Sequence, residues 1–312
     1  MNNKQEIKSI IAISSEYELL NPRIALCMGD ALEHLSSIQT ESIDCVITDP
    51  PYFSDGMGSD WNIDKLSSKV QKAQVIGSLP VGMKFDPQQG KDLQKFMTKI
   101  SKEIFRIMKP GGFYICFSMG RLYHRMALAI EDCGFEIRDM LIWEREGQAK
   151  AFSQNHFVRK MNLSQEEKEA ILDDLNNRKT PQLKGVSEPL VLAQKPKDGT
   201  FVNNWLRYHV GLIDTSVSLD GKFPSTVMSV PKPHGKERQE SSHLTMKPVA
   251  LLEHLIKIFS AEDAVICDPF FGSGSTAVAC INTNRQFIGL EINQSYYEES
   301  KRRLLSYLKG ES

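Results

Sequence analysis

Short apolar runs alternate with stretches of helical period in the first 143 residues and again after residue 243; between them the pattern fails. Ile24 to Met28 predicts a strand, followed by a short helix from Ala31 to Ser36. Ser42 to Thr48 is a second apolar, β-branched run with the content of a buried strand. Asp92 to Met108 places Leu93, Phe96, Ile100, Ile104 and Ile107 on one stripe, which predicts an amphipathic helix stopped by Lys109-Pro110-Gly111-Gly112. Phe113 to Ser118 reads as a strand, Arg121 to Cys133 as a helix ended by Gly134, and Phe135 to Trp143 as another strand. After residue 243 the rhythm resumes. A helix over 248–260, with Leu251, Leu252, Leu255, Ile256 and Phe259 in its stripe, leads to a strand over 264–268. A helix over 277–282, a strand over 286–292 and a helix from Ser295 to about Leu308 complete the chain. Strands alternating with helices predict an α/β, doubly wound and mostly parallel, Rossmann-like sheet.

The middle differs. Residues 144–187 are polar and poorly periodic, apart from the capping-box match Ser164-Gln165-Glu166-Glu167, which starts a helix to about Asn176. Ser187-Glu188-Pro189 leads into a strand at 190–193. Residues 195–242 are again irregular, with Trp205, Arg207, Tyr208 and His209, then Lys232, His234, Lys236 and Arg238. Basic and aromatic side chains together suit contact with phosphates and unstacked bases, although a solvated surface has a similar composition. Phe53 to Trp61 reads as a loop, either a lid or a plain connector, and residues 65–90 as an irregular excursion. The division expected is one catalytic and cofactor domain over 20–143, 188–195 and 243–312, interrupted by inserts at 144–187 and 196–242.

Composition narrows the class without deciding it. The 312 residues are 41% hydrophobic and 25% charged, with a net charge of -1, as in an ordinary globular protein with an ample core. The near-zero charge is neutral on nucleic acid, because a local basic face averages out. Cys27, Cys45, Cys116, Cys133, Cys267 and Cys280 form no C-x-x-C pair, so buried free thiols are expected rather than disulfides or a metal site. A polar start and the lack of a membrane-length apolar run predict a cytoplasmic protein with no membrane partner.

Two strand ends carry the chemistry. The first is Asp49-Pro50-Pro51-Tyr52, directly after the run ending at Thr48. Ligands in open α/β sheets bind outside the carboxyl ends of strands. Two prolines fix φ and remove two donors, leaving a rigid rim with an anionic acceptor, free carbonyls and a flat ring. That rim suits a planar base bearing an amino group; a capped turn would look alike. The second is Asp268 followed by Pro269-Phe270-Phe271-Gly272-Ser273-Gly274-Ser275-Thr276. Gly272-x-Gly274-x-x-Ala277, with Glu291 at the next strand end, fits a nucleotide-cofactor turn. Glycines admit the ligand, the helix N-terminus favours negative groups, and the acid holds ribose hydroxyls. The absence of a following Lys excludes a P-loop. NAD and S-adenosylmethionine both fit this geometry. Asp268 favours the second, because a carboxylate there repels a pyrophosphate and attracts an ammonium.

Taken together, the Asp49 tetrapeptide and the 268–276 turn resemble the amino-group (N6-adenine or N4-cytosine) DNA methyltransferases. Their order, tetrapeptide first and cofactor turn last, resembles the permuted β group. The resemblance spans most of residues 20–308. His243-Leu244-Thr245-Met246-Lys247-Pro248 matches the Thr-x-Lys-Pro segment usual there, with Met at the position where Gln is common. The resemblance implies S-adenosylmethionine as cofactor and DNA as partner, with the target base flipped out. It implies that Asp49, Pro50, Pro51 and Tyr52 are catalytic. Asp30 would bind the cofactor adenine and Glu291 its ribose. Asp268 and Gly272-Ser273-Gly274 would hold the methionine end, Phe270 would pack on the cofactor, and Thr245 and Lys247 would be cofactor-side contacts. No metal is implied. The inserts would read the DNA, and a homodimer and a cognate restriction nuclease are both compatible with the group.

An exocyclic amino nitrogen is a weak nucleophile, because its lone pair is delocalised into the ring. Hydrogen bonds to Asp49 and the Pro50 carbonyl would localise that pair, so no covalent base intermediate is needed. Asp at the head of the tetrapeptide favours adenine N6 over cytosine N4. Methylation of a protein or of RNA, an inactive DNA-binding module and an NAD-dependent dehydrogenase are the competing readings.

Overall fold

The computed structural model describes residues 6–12, 16–51, 87–147, 151–243 and 245–310. Among the described residues, the apolar runs of the sequence become the strands of one nine-stranded sheet. These are β1 (Tyr17–Asn21), β2 (Ile24–Met28), β3 (Ile43–Thr48), β4 (Met108–Phe117), β5 (Glu136–Glu144), β6 (Ser187–Gln194), β7 (Val227–Ser229), β8 (Val265–Asp268) and β9 (Gln286–Glu291). Their spatial order is β1-β2-β9-β8-β3-β4-β6-β5-β7. From β2 through β4 every neighbouring pair is parallel, β6 runs antiparallel between β4 and β5, and β1 is an antiparallel edge.

The sheet is covered on both faces, as the two-sided apolar character of β3, β8 and β9 requires. On one face the helix Pro87–Ile107 lays Leu93, Met97, Ile100, Ile104 and Ile107 against the strands, joined by Met126, Ala129 and Ile130 of the helix Tyr123–Glu131. On the other lie the helices Val249–Phe259, Ser275–Asn282 and Gln294–Lys309, with Leu251, Leu255, Val278 and Leu304 in the core. The predicted stripe at 92–108 is thus present. Its helix starts earlier, at Pro87, because a first turn carries no core residue and leaves no periodic trace.

Lys109 to Gly112 do interrupt the chain as expected, but inside a strand. β3 and β4 pair Ile43 with Met108 and Cys45 with Phe113, so the four residues bulge out of the ladder. Gly111 takes φ 82° there. Of the two irregular segments, 144–187 holds the helices Asn155–Arg159 and Gln165–Asp174, the second closed by the predicted Ser164–Glu167 capping box. The segment 196–242 is more ordered than its pattern predicts. It contains the helix Phe201–Tyr208, capped by the Thr200 hydroxyl, the strand β7 paired to β5, and the helix Gly235–Gln239. Elements this short span too few positions to show a period. The loop at 53–61 and most of the excursion at 65–90 lie outside the described residues.

Candidate active site

Four parallel neighbours, β2, β9, β8 and β3, end in acids at one edge of the sheet. In spatial order these are Asp30, Glu291, Asp268 and Asp49, each at or just past its strand's carboxyl end. The two stretches selected from the sequence, more than two hundred residues apart, are therefore on adjacent strands.

The glycine-rich turn sits between Asp268 and the helix Ser275–Asn282. Gly272 has φ 45° and Gly274 φ 76°, both left-handed. A Cβ on Gly274 would stand 3.2 Å from the Ser300 Cβ, and one on Gly272 would stand 3.1 Å from His243 Nε2. The turn is held from behind by the helix Gln294–Lys309. Ser300 Oγ donates to the Gly272 carbonyl, and Arg303 Nη1 donates to the Ser273 carbonyl at 2.9 Å. From the side, Glu291 accepts from Gly272 N at 3.1 Å and from Asn293 N at 2.7 Å. Burial raises the Glu291 carboxyl to about 7, against the lowering by these two N–H groups. The turn thus offers a glycine backbone, a helix N-terminus and an acid at its mouth. These features fit a nucleoside cofactor with a charged amino-acid tail.

Asp268 is buried, and both of its oxygens are engaged. Thr48 Oγ1 donates to Oδ1 at 2.6 Å, Thr276 Oγ1 donates to Oδ2 at 2.7 Å, and Phe270 N donates to Oδ1 at 3.1 Å. Burial raises its carboxyl to about 6; the two hydroxyls and the N–H pull it down, and Asp49 adds to the rise. Asp268 therefore ties the residue before Asp49 to the first turn of the Ser275–Asn282 helix. Thr48 and Thr276 are the parts of this bridge that sequence reasoning did not single out. A hydroxyl immediately before the tetrapeptide, facing an acid on the neighbouring strand, was the available signal.

Asp49 accepts from Lys247 Nζ. Lys247 is buried and also lies 3.0 Å from Glu188 Oε1. Burial pulls the Lys247 ammonium down, but the Asp49 and Glu188 carboxylates outweigh it, and its pKa ends above the ordinary lysine value. Glu188, near the start of β6, was read in the sequence only as the lead into a strand, not as a site residue. Pro50 is buried and Pro51 half-buried; Tyr52 lies outside the described residues.

The remaining predicted residues line the same edge with less contact. Asp30 caps the helix Ala31–His34, accepting from Leu32 N at 2.8 Å, and the adjoining Gly29 N donates to the Glu291 carbonyl at 3.0 Å. The Phe270 ring lies 5.9 Å from that of Phe96. Ser273 is buried in the turn. Thr245 is exposed, with its hydroxyl 3.5 Å from His243 Nδ1. His243 in turn packs edge-on against Tyr296 at 4.6 Å. All six cysteines are free, five of them buried, in keeping with the expectation of buried thiols.

Comparison with known proteins identifies the family and the fold. A DNA methylase family model matches residues 43–302. The type II methyltransferase M.HindIII of Haemophilus influenzae is 27% identical over 88% of this chain and 93% of its own length. M.HpaI of Haemophilus parainfluenzae is 26% identical over 91% of this chain and 75% of its own. Among solved structures, the complex of M1.HpyAVI with S-adenosylmethionine covers 90% of this chain and 98% of its own at 21% identity, with a TM-score of 0.56. The cytosine-N4-specific PvuII DNA methyltransferase covers 93% of this chain and 89% of its own at 17% identity, with a TM-score of 0.59. These two show the shared fold. The chain belongs to the DNA methylase family, the S-adenosylmethionine-dependent methyltransferases acting on amino groups of DNA bases.

Proposed function

From this membership, we propose that the chain methylates the N6 amino group of adenine at a specific DNA site. The observation that carries the reading is the joining of Asp49 to the glycine turn through the Thr48–Asp268–Thr276 hydrogen bonds. An acceptor for an amino group and a cradle for a cofactor are thereby fixed side by side, as a direct transfer needs.

S-adenosylmethionine supplies a methyl group on a positively charged sulfur. The chain's own residues do the rest. Asp49 and the Pro50 carbonyl accept hydrogen bonds from the two amino N–H groups and draw the nitrogen lone pair out of the ring; as the new N–C bond replaces the S–C bond, sulfur keeps the bonding electrons and the nitrogen sheds one of its protons. Tyr52 stacks on the base after it leaves the duplex. Glu291 takes the ribose hydroxyls and Asp30 orients the adenine of the cofactor. The Gly272-Ser273-Gly274 backbone holds the carboxylate of the cofactor's tail, while Asp268 fixes the turn. Phe270 and Thr245 border this space. The segments 144–187 and 196–242 select the DNA sequence, and the modified site is one that a cognate nuclease would otherwise cut.

The test is transfer of labelled methyl from S-adenosylmethionine to duplex DNA, followed by nucleoside analysis. N6-methyladenine is expected. N4-methylcytosine in its place would move the substrate to cytosine, and transfer to no DNA by a chain that binds the cofactor would refute the reading. Exchanging residues 144–242 with those of a relative is expected to change the modified site while leaving the modified atom unchanged.

A further inference from the structure

The charged cluster beside Asp49 is built from three distant elements. Asp49 follows β3, Glu188 opens β6, and Lys247 precedes the helix Val249–Phe259. The side chains of Lys247, Glu188 and Asp49 are only 8%, 14% and 19% exposed. Lys247 Nζ donates to Asp49 Oδ2 and lies 3.0 Å from Glu188 Oε1 and 4.9 Å from the centre of the Phe117 ring. Glu188 Oε2 lies 3.3 Å from Arg145 Nε, at ion-pair distance but without hydrogen-bond alignment. A proline at 248 disfavours a helical backbone at Lys247, so the lysine stands outside the helix that follows.

Resting on the function proposed above, we propose that Lys247, anchored by Glu188, is a positioning residue for methyl transfer. It holds the Asp49 carboxylate in the one anionic orientation that receives the target amino group. Stability is a poor reason for such a cluster. A buried ion pair roughly breaks even against well-packed apolar side chains of the same volume. The arrangement has a use at Asp49 instead. With Oδ2 committed to Nζ, the carboxylate cannot swing about its last torsion. A cation between two carboxylates also offsets their mutual repulsion, which would otherwise push Asp49 away from Glu188. The Thr-x-Lys-Pro resemblance puts Lys247 on the cofactor side, whereas its ammonium lies on the target-side acid. The same cluster meets Arg145, the second residue of the 144–187 segment, so a shift of that segment on DNA would act on Glu188 first.

The experiment measures single-turnover methyl transfer to duplex DNA by the full chain, with S-adenosylmethionine affinity and thermal melting read separately. Lys247→Met is expected to slow transfer about 100-fold while cofactor affinity stays within about three-fold. Lys247→Arg is expected to recover part of the rate, because it restores a cation with a different reach. If Lys247→Met melts early by stranding Glu188, the double variant Lys247→Met/Glu188→Gln removes both charges. It is expected to melt close to wild type and still transfer slowly. Wild-type transfer in a folded Lys247→Met or double variant would overturn the proposal. Loss of cofactor affinity in step with rate would also overturn it, making Lys247 a cofactor contact. A wild-type chain that methylates no DNA would instead overturn the functional reading beneath it.

Discussion

On the β8–β9 side of the rim, the acids are held by neutral groups. Asp268 is satisfied by two hydroxyls and an N–H, and Glu291 accepts from two backbone N–H groups. Both carboxyls are pushed up by burial, to about 6 and about 7. On the β3–β4–β6 side, Asp49 and Glu188 share the buried ammonium of Lys247. The contrast teaches that one half of the site carries its counter-charge within the chain, while the other has buried acids that a cationic ligand would stabilise. S-adenosylmethionine, positive at sulfur and at its amino group, matches that second half. In the proposed reading the target base is neutral and brings no charge to offset the desolvation of Asp49, and Lys247 supplies that charge from within the chain.

The sharpest break between the halves is expected from Asp49→Ala. Transfer should fall by at least about 1,000-fold, because the acceptor acts only on the reacting nitrogen. Cofactor affinity should stay within about three-fold, since the β8–β9 turn is untouched and Lys247 keeps Glu188. Single-turnover kinetics and equilibrium cofactor binding read the two numbers. Equal losses in both would mean that the halves are one structural unit. The reverse break is Gly274→Arg. Any side chain at φ 76° is strained, and its Cβ would press on Ser300. Cofactor affinity should fall at least about 100-fold; unchanged affinity would mean that the turn holds some other ligand.

The two halves also differed in how far the sequence exposed them. Gly272, Gly274 and Glu291 lie within twenty residues, and their spacing is set by a strand, a turn and a helix that fold locally. Each could be identified from the chain alone. Asp49 was equally visible, because the two prolines after it mark a strand end. Its surroundings were not. Lys247 is 198 residues away and Glu188 lies on a strand that enters the sheet antiparallel between β4 and β5. No local period encodes that insertion. The strand β7 and the helix Phe201–Tyr208 were hidden for a simpler reason: they are short and much of their surface is exposed, so apolar spacing says little about them.

A pH titration of cofactor affinity sharpens the comparison with a smaller effect. The Glu291 carboxyl, raised to about 7, is ionised above that pH. Donation from ribose hydroxyls and a positive ligand both favour the ionised form. Affinity is therefore expected to weaken as pH falls through 7, by about ten-fold between pH 8 and pH 6. Glu291→Gln should bind more weakly at pH 8 and show a flatter profile. An unchanged slope in that variant would assign the titration to another group.

The smallest effect expected is on stability, and it has opposite signs on the two sides. The Asp268 carboxyl titrates at about 6 in the folded chain against 3.8 ordinarily, so folding favours its neutral form. Its share of stability is full below pH 3.8 and lost as pH rises through 6. At pH 8 the wild type bears the whole cost of a buried charge. Asp268→Asn removes that charge. Its oxygen can still accept from Thr48 and Phe270, and the Thr276 hydroxyl can turn to accept from the new amide. The cofactor-free variant is thus expected to melt about 3 °C higher at pH 8, with the difference shrinking as pH falls through 6. Glu188→Gln, on the other side, removes a charge that Lys247 already balances and should lower the melting temperature at pH 8. Differential scanning calorimetry of both variants across pH 4.5–8 decides the matter. If Asp268→Asn melts lower at every pH, its hydrogen bonds outweigh its charge, and the acids near the glycine turn are not waiting for a cation.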